Sequence, residues 1–347
     1  IASGGNYNVC VGDEAGTAIT TGDYNTAVGF SAAVATTTAT YNTAIGWKSL
    51  LTNTTGGSNV ALGADALRAN QTASNNTALG KSALTANTTG ASNVAVGKDA
   101  LLANTEGVNN TAVGHLAGSS IVDGGACTFI GEGAGLSTTA DKNTFLGDTS
   151  GYYVTSGQKN TIIGRFNGNE NGLDIRTTNN NIVLSDGDGN PRVIVDGSGA
   201  MTRPLQPAFL AQPSSTQSNI PINAVTDLVF GTERFDLNAD FNNTNAANKF
   251  TAPVTGKYQL DINIYCQNLD VDTAYYQLEL HTSNRTYFAV KDMSGNDADI
   301  VYHNFVINVL ADMDGNDTAI VKFNLPNSGA ATIDIITVST FSGHLVA

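Results

Sequence analysis

Four histidines (His115, His281, His303 and His344) and three cysteines (Cys10, Cys127 and Cys266) are the residues best suited to nucleophilic, redox or metal chemistry. Their spacing supports none of it. They are scattered along the chain without metal-ligand spacing, and no Cys-x-x-Cys pair occurs. The phrases Gly-x-Ser-x-Gly and His-Glu-x-x-His, and Walker-type loops, are absent. The cysteines read as small buried residues. Two acidic runs, Asp186-Gly187-Asp188-Gly189-Asn190 and Asp312-Met313-Asp314-Gly315-Asn316-Asp317, alternate oxygen ligands as a calcium loop does. The first has Pro191 where an EF-hand loop needs glycine, and it lacks the distant glutamate. Both read as turns. Paired carboxylates in a groove would suit a sugar hydrolase, but acidic residues are scarce in the first half of the chain. The expectation is a protein that is not an enzyme, with no catalytic residue, cofactor or metal.

The composition narrows the partners. Of 347 residues only 13% are charged, and the net charge is −14. That balance repels phosphate backbones, so no nucleic-acid partner is expected. No apolar run approaches the roughly 18 residues of a membrane span, so no membrane insertion is expected. The chain begins at Ile1 rather than Met. It reads as a processed product or fragment, whose expected partner is an upstream anchoring segment or a virion protein.

A repeat dominates what positions these residues. The phrase Asn-x-x-aliphatic-Gly begins at Asn8, Asn25, Asn42, Asn59, Asn76, Asn93 and Asn110, then with Cys127 in the asparagine place, then at Asn143 and Asn160. Eight of the nine intervals are 17 residues and one is 16. The phrase ends in Gly29, Gly46, Gly63, Gly80, Gly97, Gly114, Gly147 and Gly164 in the units opened by Asn25 to Asn110, Asn143 and Asn160. Side chains alternate along a strand, so Thr77 and Leu79 face one way and Ala78 the other. A second run, Ser82-Ala83-Leu84, reads as another short strand, and Asn87-Thr88-Thr89-Gly90 as a turn. A helix is excluded because apolar positions do not recur at three and four and glycine interrupts every unit. All seven prolines lie at or after Pro191, as a solenoid whose coils donate backbone N–H groups to their neighbours requires. Stacked asparagines suit a side-chain ladder, and the glycines suit positive φ or close backbone approach. Ten coils predict a roll on the order of 45–50 Å long.

One exchange within the repeat points to its interior. Ala44, Ala61, Ala78 and Ala95 are followed six residues later by Leu50, Leu67, Leu84 and Leu101, whereas Phe129, Phe145 and Ile162 are followed by Gly135, Gly151 and Gly168. Volume-conserving exchange predicts that the two positions meet in one core layer. The opposite face, with Val28, Ile45, Leu62, Leu79, Val96 and Val113, then needs another cover. Packing of identical rolls around an axis supplies it.

The phrases Asn25-Thr26-Ala27-Val28-Gly29 and Asn42-Thr43-Ala44-Ile45-Gly46 resemble the head repeats of trimeric autotransporter adhesins and related repeats of phage tail fibres. The adhesin repeat is typically shorter than 17 residues. The resemblance covers about 160 residues and implies a left-handed parallel β-roll homotrimer.

Residues 1–168 therefore read as a β-roll stalk, 169–204 as a β-rich transition and 205–347 as a separate head. Aromatic residues number 15 in the head against 10 in residues 1–172, which indicates an ordinary globular core. Runs such as Tyr258-Gln259-Leu260-Asp261-Ile262-Asn263-Ile264 alternate as antiparallel strands. Phe250-Thr251-Ala252-Pro253-Val254-Thr255-Gly256-Lys257-Tyr258 and Thr340-Phe341-Ser342-Gly343-His344-Leu345 resemble signatures of the complement and tumour-necrosis-factor-like jelly roll, a family that trimerises and often serves in recognition. The expected fold is all-β: a trimeric parallel solenoid of about ten coils, then a jelly-roll β-sandwich. The expected role is a structural viral (phage) tail-fibre segment on the virion surface, contacting a host receptor or glycan through its head. An extracellular cell-surface or spore-surface adhesin or filament is the alternative, and a polysaccharide-degrading tail spike a third. No receptor-binding residue is assigned.

Overall fold

The structure, a computed structural model, describes residues 5–221, 224–244, 248–296, 298–325 and 332–346. Among them every regular element is a strand, and the chain divides into two compact units, Ile1–Pro204 and Leu205–Ala347.

In the first unit each repeat contributes one three-residue strand, from Val9–Val11 to Thr161–Ile163, and the ten strands pair in parallel in chain order. The register is one repeat per rung, so Ala78 lies beside Ala95 and Leu79 beside Val96. The middle residue of the strand points inward: Ala27, Ala44, Ala61, Ala78, Ala95, Ala112, Phe129, Phe145 and Ile162 are fully buried. The period breaks after Gly168, yet the ladder continues. Ile182–Ser185 pairs in parallel with Thr161–Ile163 as an eleventh rung, and Pro191–Val195 and Met201–Thr202 extend the same sheet antiparallel.

The second run of each repeat is not a strand, contrary to the expectation from alternation. Ser82 and Leu84 have φ of 58° and 52°, and the same two places are left-handed in every coil from Ser31 and Ala33 to Asp99 and Leu101. This lets consecutive residues, Ala83 and Leu84, both be fully buried in the same core cluster, whereas successive side chains of a pleated strand point to opposite faces. Backbone hydrogen bonds still reach both neighbouring coils: Ser82 N–H donates to Ala64 and Leu84 N–H to Ala100. A left-handed leucine costs about 1–2 kcal/mol. Burying its side chain returns roughly 1.5–3 kcal/mol.

The alanines, leucines and phenylalanines of these positions share one core cluster, and Gly135 and Gly151 pack against its phenylalanines. A Cβ built on Gly151 would lie 2.5 Å from Cδ2 and Cε2 of Phe145, and one on Gly135 would lie 2.5 Å from Cδ1 and Cε1 of Phe129. The third expected pair, Ile162 with Gly168, does not form, because the tenth coil has one residue fewer between its strand and that place. There Gly151 N–H donates to Phe166, which puts Asn167 in the glycine's place, and a Cβ on Gly168 would instead meet Val154. Gly151→Leu is expected to cost roughly 1–3 kcal/mol by overpacking. Its φ of 63° is nearly that of Leu84, so backbone strain contributes little to the difference. Adding Phe145→Ala should restore most of the loss in a thermal-unfolding double-mutant cycle, and additive losses would refute the contact.

The second unit is an antiparallel β-sandwich of jelly-roll type. One sheet has the strand order 217–220, 333–335, 256–269, 340–345, 208–212, 232–236, with 300–313 along the other side of 256–269. The other runs 241–242, 249–251, 318–324, 275–282, 286–292, with 225–227 also paired to 318–324. Alternating residues of both sheets meet in one core, where the Phe209 ring stacks on Phe241 and Phe250 at 4.9 and 4.8 Å and meets Phe341 edge-on at 4.9 Å. The two jelly-roll-like signatures line this cluster. Tyr258 is fully buried with its hydroxyl donating to Val254 O at 2.8 Å. A side chain at Gly343 would strike Phe209 and Leu260 at 2.7 Å.

Candidate functional site

The repeat asparagines form a ladder inside the roll. Each side-chain oxygen accepts the backbone N–H of the asparagine one coil on: Asn25 to Asn42 at 3.0 Å, Asn42 to Asn59 at 2.9 Å, and so on through Asn76, Asn93 and Asn110, with Asn143 to Asn160 at 2.9 Å. Each Nδ2 donates to a turn carbonyl, as Asn76 does to Gly90 at 2.9 Å. The side-chain oxygen and nitrogen of each asparagine in this ladder thereby have a partner. Cys127 accepts no such role in full: its thiol donates to Ala140 O at 3.3 Å, and burial pushes its pKa up to about 11. Cys266 is buried in the head core with its thiol pushed further up by burial, while Cys10 is half-buried. The repeat glycines Gly29, Gly46, Gly63, Gly80, Gly97, Gly114 and Gly147 have φ of 132–140°, and Gly164 has 106°.

A second ladder escaped the sequence reading. Asn70, Asn87 and Asn104 each donate Nδ2 to the side-chain oxygen of the preceding member, beginning at Asn53, at 2.9 Å. Its signal was recurrence at 17 residues. It stops where Ile121 takes the next place, leaving Asn104 Oδ1 buried without a partner.

Outside, the roll carries an unbroken apolar column: Val11, Val28, Ile45, Leu62, Leu79, Val96, Val113, Ile130, Leu146, Ile163 and Leu184, each in register with the next. Nine of the eleven are 36–57% exposed; Val28 and Val96 are half-buried. In the first three coils the face widens. Tyr7, Tyr24 and Tyr41 stack with ring centroids 4.9 and 5.1 Å apart just before their strands, and Phe30 and Trp47, just after theirs, are exposed.

On the sandwich, the outer side of strands 256–269 and 300–313 exposes Tyr302, Val306 and Leu310. Between them Asn263 Oδ1 and Asn304 Oδ1 are buried without a partner. The other sheet's outer side carries a polar line on strand 275–282. Glu279 is 6% exposed and accepts from Gln277 at 2.6 Å and Asn324 at 2.8 Å, with His281 Nε2 at 2.5 Å. Burial alone would raise its pKa, but these hydrogen bonds outweigh it and hold the carboxyl below its usual range.

The residues considered for chemistry are dispersed. His115 lies 3.4 Å from Glu132 one coil on. His303 packs edge-on against Phe305, and burial lowers its pKa. His344 lies in register with Gln259 and Ala208. The Asp186 carboxylate is consumed by its own turn: it accepts from the backbones of Asp188 and Asn190 and from Arg192 at 2.6 Å. Hydrogen bonds from the Asn190 side chain and Arg192 hold its pKa well below the usual carboxylate range. In the second acidic run Asp317 accepts from Asp314 N–H and the Asn284 amide. Among the described residues no group of three or more His, Cys, Asp or Glu is placed to hold a metal, and no helix is long and apolar enough to cross a membrane.

No family profile and no curated protein matches the sequence. Among solved structures, the globular domain of zebrafish complement 1qA protein is similar at 15% identity, covering 41% of this chain and 98% of its own, with a TM-score of 0.32. Eiger TNF from S. frugiperda follows at 12% identity, 41% and 91% coverage and a TM-score of 0.31. PRD1 vertex protein P5 follows at 12% identity, 41% and 96% coverage and a TM-score of 0.28. These comparisons assign the chain to no family.

Proposed function

We propose that the chain is a non-enzymatic structural and recognition protein, a homotrimeric viral (phage) tail-fibre segment whose second unit contacts the host surface. The eleven-rung apolar column carries this reading. A continuous exposed aliphatic stripe needs a cover, and a stripe with one repeat per rung is matched by the same stripe on an identical chain, related by a cyclic axis. The aromatic flanks of coils one to three widen that contact at one end of the roll. The orphaned Asn263 and Asn304 acceptors, set among Tyr302, Val306 and Leu310, support a second shared contact on the sandwich. The number three and the viral setting rest on the resemblance of the repeat to adhesin and tail-fibre repeats. Recognition is placed in the sandwich because near-identical coils present one small polar surface at every level, whereas loops such as 240–244 and 282–287 vary over a fixed scaffold.

Sedimentation equilibrium at micromolar concentration should give about 107 kDa, three times 35.8 kDa. A stable, soluble 35.8 kDa species refutes the assembly. Immunoelectron microscopy of the source particle should label a tail; label on a cell or spore envelope assigns the filament alternative. Release of reducing ends from host polysaccharide would establish the tail-spike alternative.

A further inference from the structure

We infer that the outer side of the sandwich's second sheet holds a binding site for uncharged saccharides, in an open recess of about 470 Å³ between residues 271–275 and the end of strand 286–292. The inference rests on the recognition role proposed for this unit and names its ligand class.

The recess has the size and mixed lining of a small-ligand site. Asp272, Asp292 and Ser294 bring carboxylate and hydroxyl groups to its wall, and Tyr275 and Val290 give it an apolar side, while Thr273 is buried with its hydroxyl accepting from Tyr276 at 3.3 Å. Asp292 accepts the Ser294 backbone N–H at 2.8 Å, which orients its carboxylate. Along the strand pair, Tyr275 faces Asp292, Gln277 faces Val290, and Glu279 faces Phe288. Phe288 is 64% and Val290 50% exposed, so an apolar track leads out of the recess beside the polar line of Gln277, Glu279 and His281.

A sugar ring matches both halves of this surface. Its C–H face lies on aromatic and aliphatic side chains, and its hydroxyls donate to carboxylates in short charge-assisted bonds. Two carboxylates in the recess and a net charge of −14 disfavour sialylated or other anionic sugars. A divalent cation as sole occupant lacks a third acidic or imidazole ligand among the described residues. The recess lies on the opposite sheet from Tyr302, Val306 and Leu310, so association through that face leaves it open. Each trimer then offers three sites, and weak single-site binding gains avidity.

The test is saturation-transfer NMR on the intact chain with methyl β-galactoside, methyl α-glucoside, methyl N-acetyl-β-glucosaminide and 3′-sialyllactose, with and without EDTA. At least one neutral glycoside should give a saturable, EDTA-insensitive signal at millimolar affinity, stronger than sialyllactose. Asp292→Asn should weaken it at least tenfold. Because that change also weakens the charge-assisted contact to the Ser294 N–H, Val290→Glu, an exposed outward position, serves as the second variant and should weaken it comparably in a chain of unchanged oligomeric mass and circular dichroism. Asp312→Asn on the other sheet should leave it intact. No saturable signal from any neutral glycoside, preference for sialyllactose, loss in EDTA, or binding that survives both recess variants overturns the inference. Host-cell binding separates the two claims. Cells bound equally by the Val290→Glu chain would retain recognition and reject this site, whereas sugar binding without cell binding would do the reverse.

Discussion

Gly80→Ala is expected to destabilise the roll by on the order of 3–5 kcal/mol, the sum of a backbone held where only glycine is comfortable and a clash against another coil's main chain. Gly80 has φ of 138°. A Cβ there would lie 2.5 Å from Gly97 O, 2.6 Å from Gly97 C and 3.1 Å from Lys98 N. All three are backbone atoms, which no rotamer change can move aside. The loss should appear as a lower unfolding midpoint in denaturant, with hydrogen exchange accelerated first at Val94–Val96 and Thr77–Leu79. Lys81→Ala, one residue on and exposed, should stay within about 0.5 kcal/mol of the parent. If Gly80→Ala is equally silent, stacking of successive glycines is not what sets the coil spacing.

The second large effect concerns assembly. Leu62→Asp with Leu79→Asp places two carboxylates on adjacent rungs of the exposed column, and therefore six near the axis of the proposed trimer. Each removes an aliphatic contact of roughly 1 kcal/mol or more and substitutes an unpaired buried charge, which costs several kcal/mol after relaxation. The variant should sediment at 35.8 kDa with its strand circular dichroism retained, because neither side chain belongs to the roll's interior cluster. Leu62→Ala with Leu79→Ala should only weaken association. A double-aspartate chain that still sediments as three copies would show that the column faces solvent in the assembly.

The sequence by itself determined the period, the parallel rungs and the buried place of the middle strand residue, because each follows from side-chain direction at a fixed spacing. Ala78 cannot turn outward while Thr77 and Leu79 do. It also determined the Phe145–Gly151 contact, since a close-packed layer conserves volume and both partners change together along the chain. The jelly-roll core was legible for the same reason: Tyr258, Leu260, Ile262 and Ile264 alternate over one long strand and all four are fully buried.

Only the tertiary structure decided what depends on backbone conformation or on neighbours distant in sequence. The Ser82-Ala83-Leu84 run has the residues of a strand, but stacking on Ala64 and Ala100 holds Ser82 and Leu84 at positive φ. Nothing in three side chains encodes that choice locally, because its cost is met by burial of Leu84 between coils. The eleventh rung lies beyond the broken period, since hydrogen bonding of Asn181 N–H to Asn160 Oδ1 at 2.9 Å tolerates a 21-residue excursion that a fixed-period search does not. The recess beside Tyr275 could not be anticipated at all. Its walls come from a loop and a strand end whose separation is set by the pairing of strands 275–282 and 286–292, and side-chain chemistry becomes a site only once that pairing brings Asp272 and Asp292 to the same hollow.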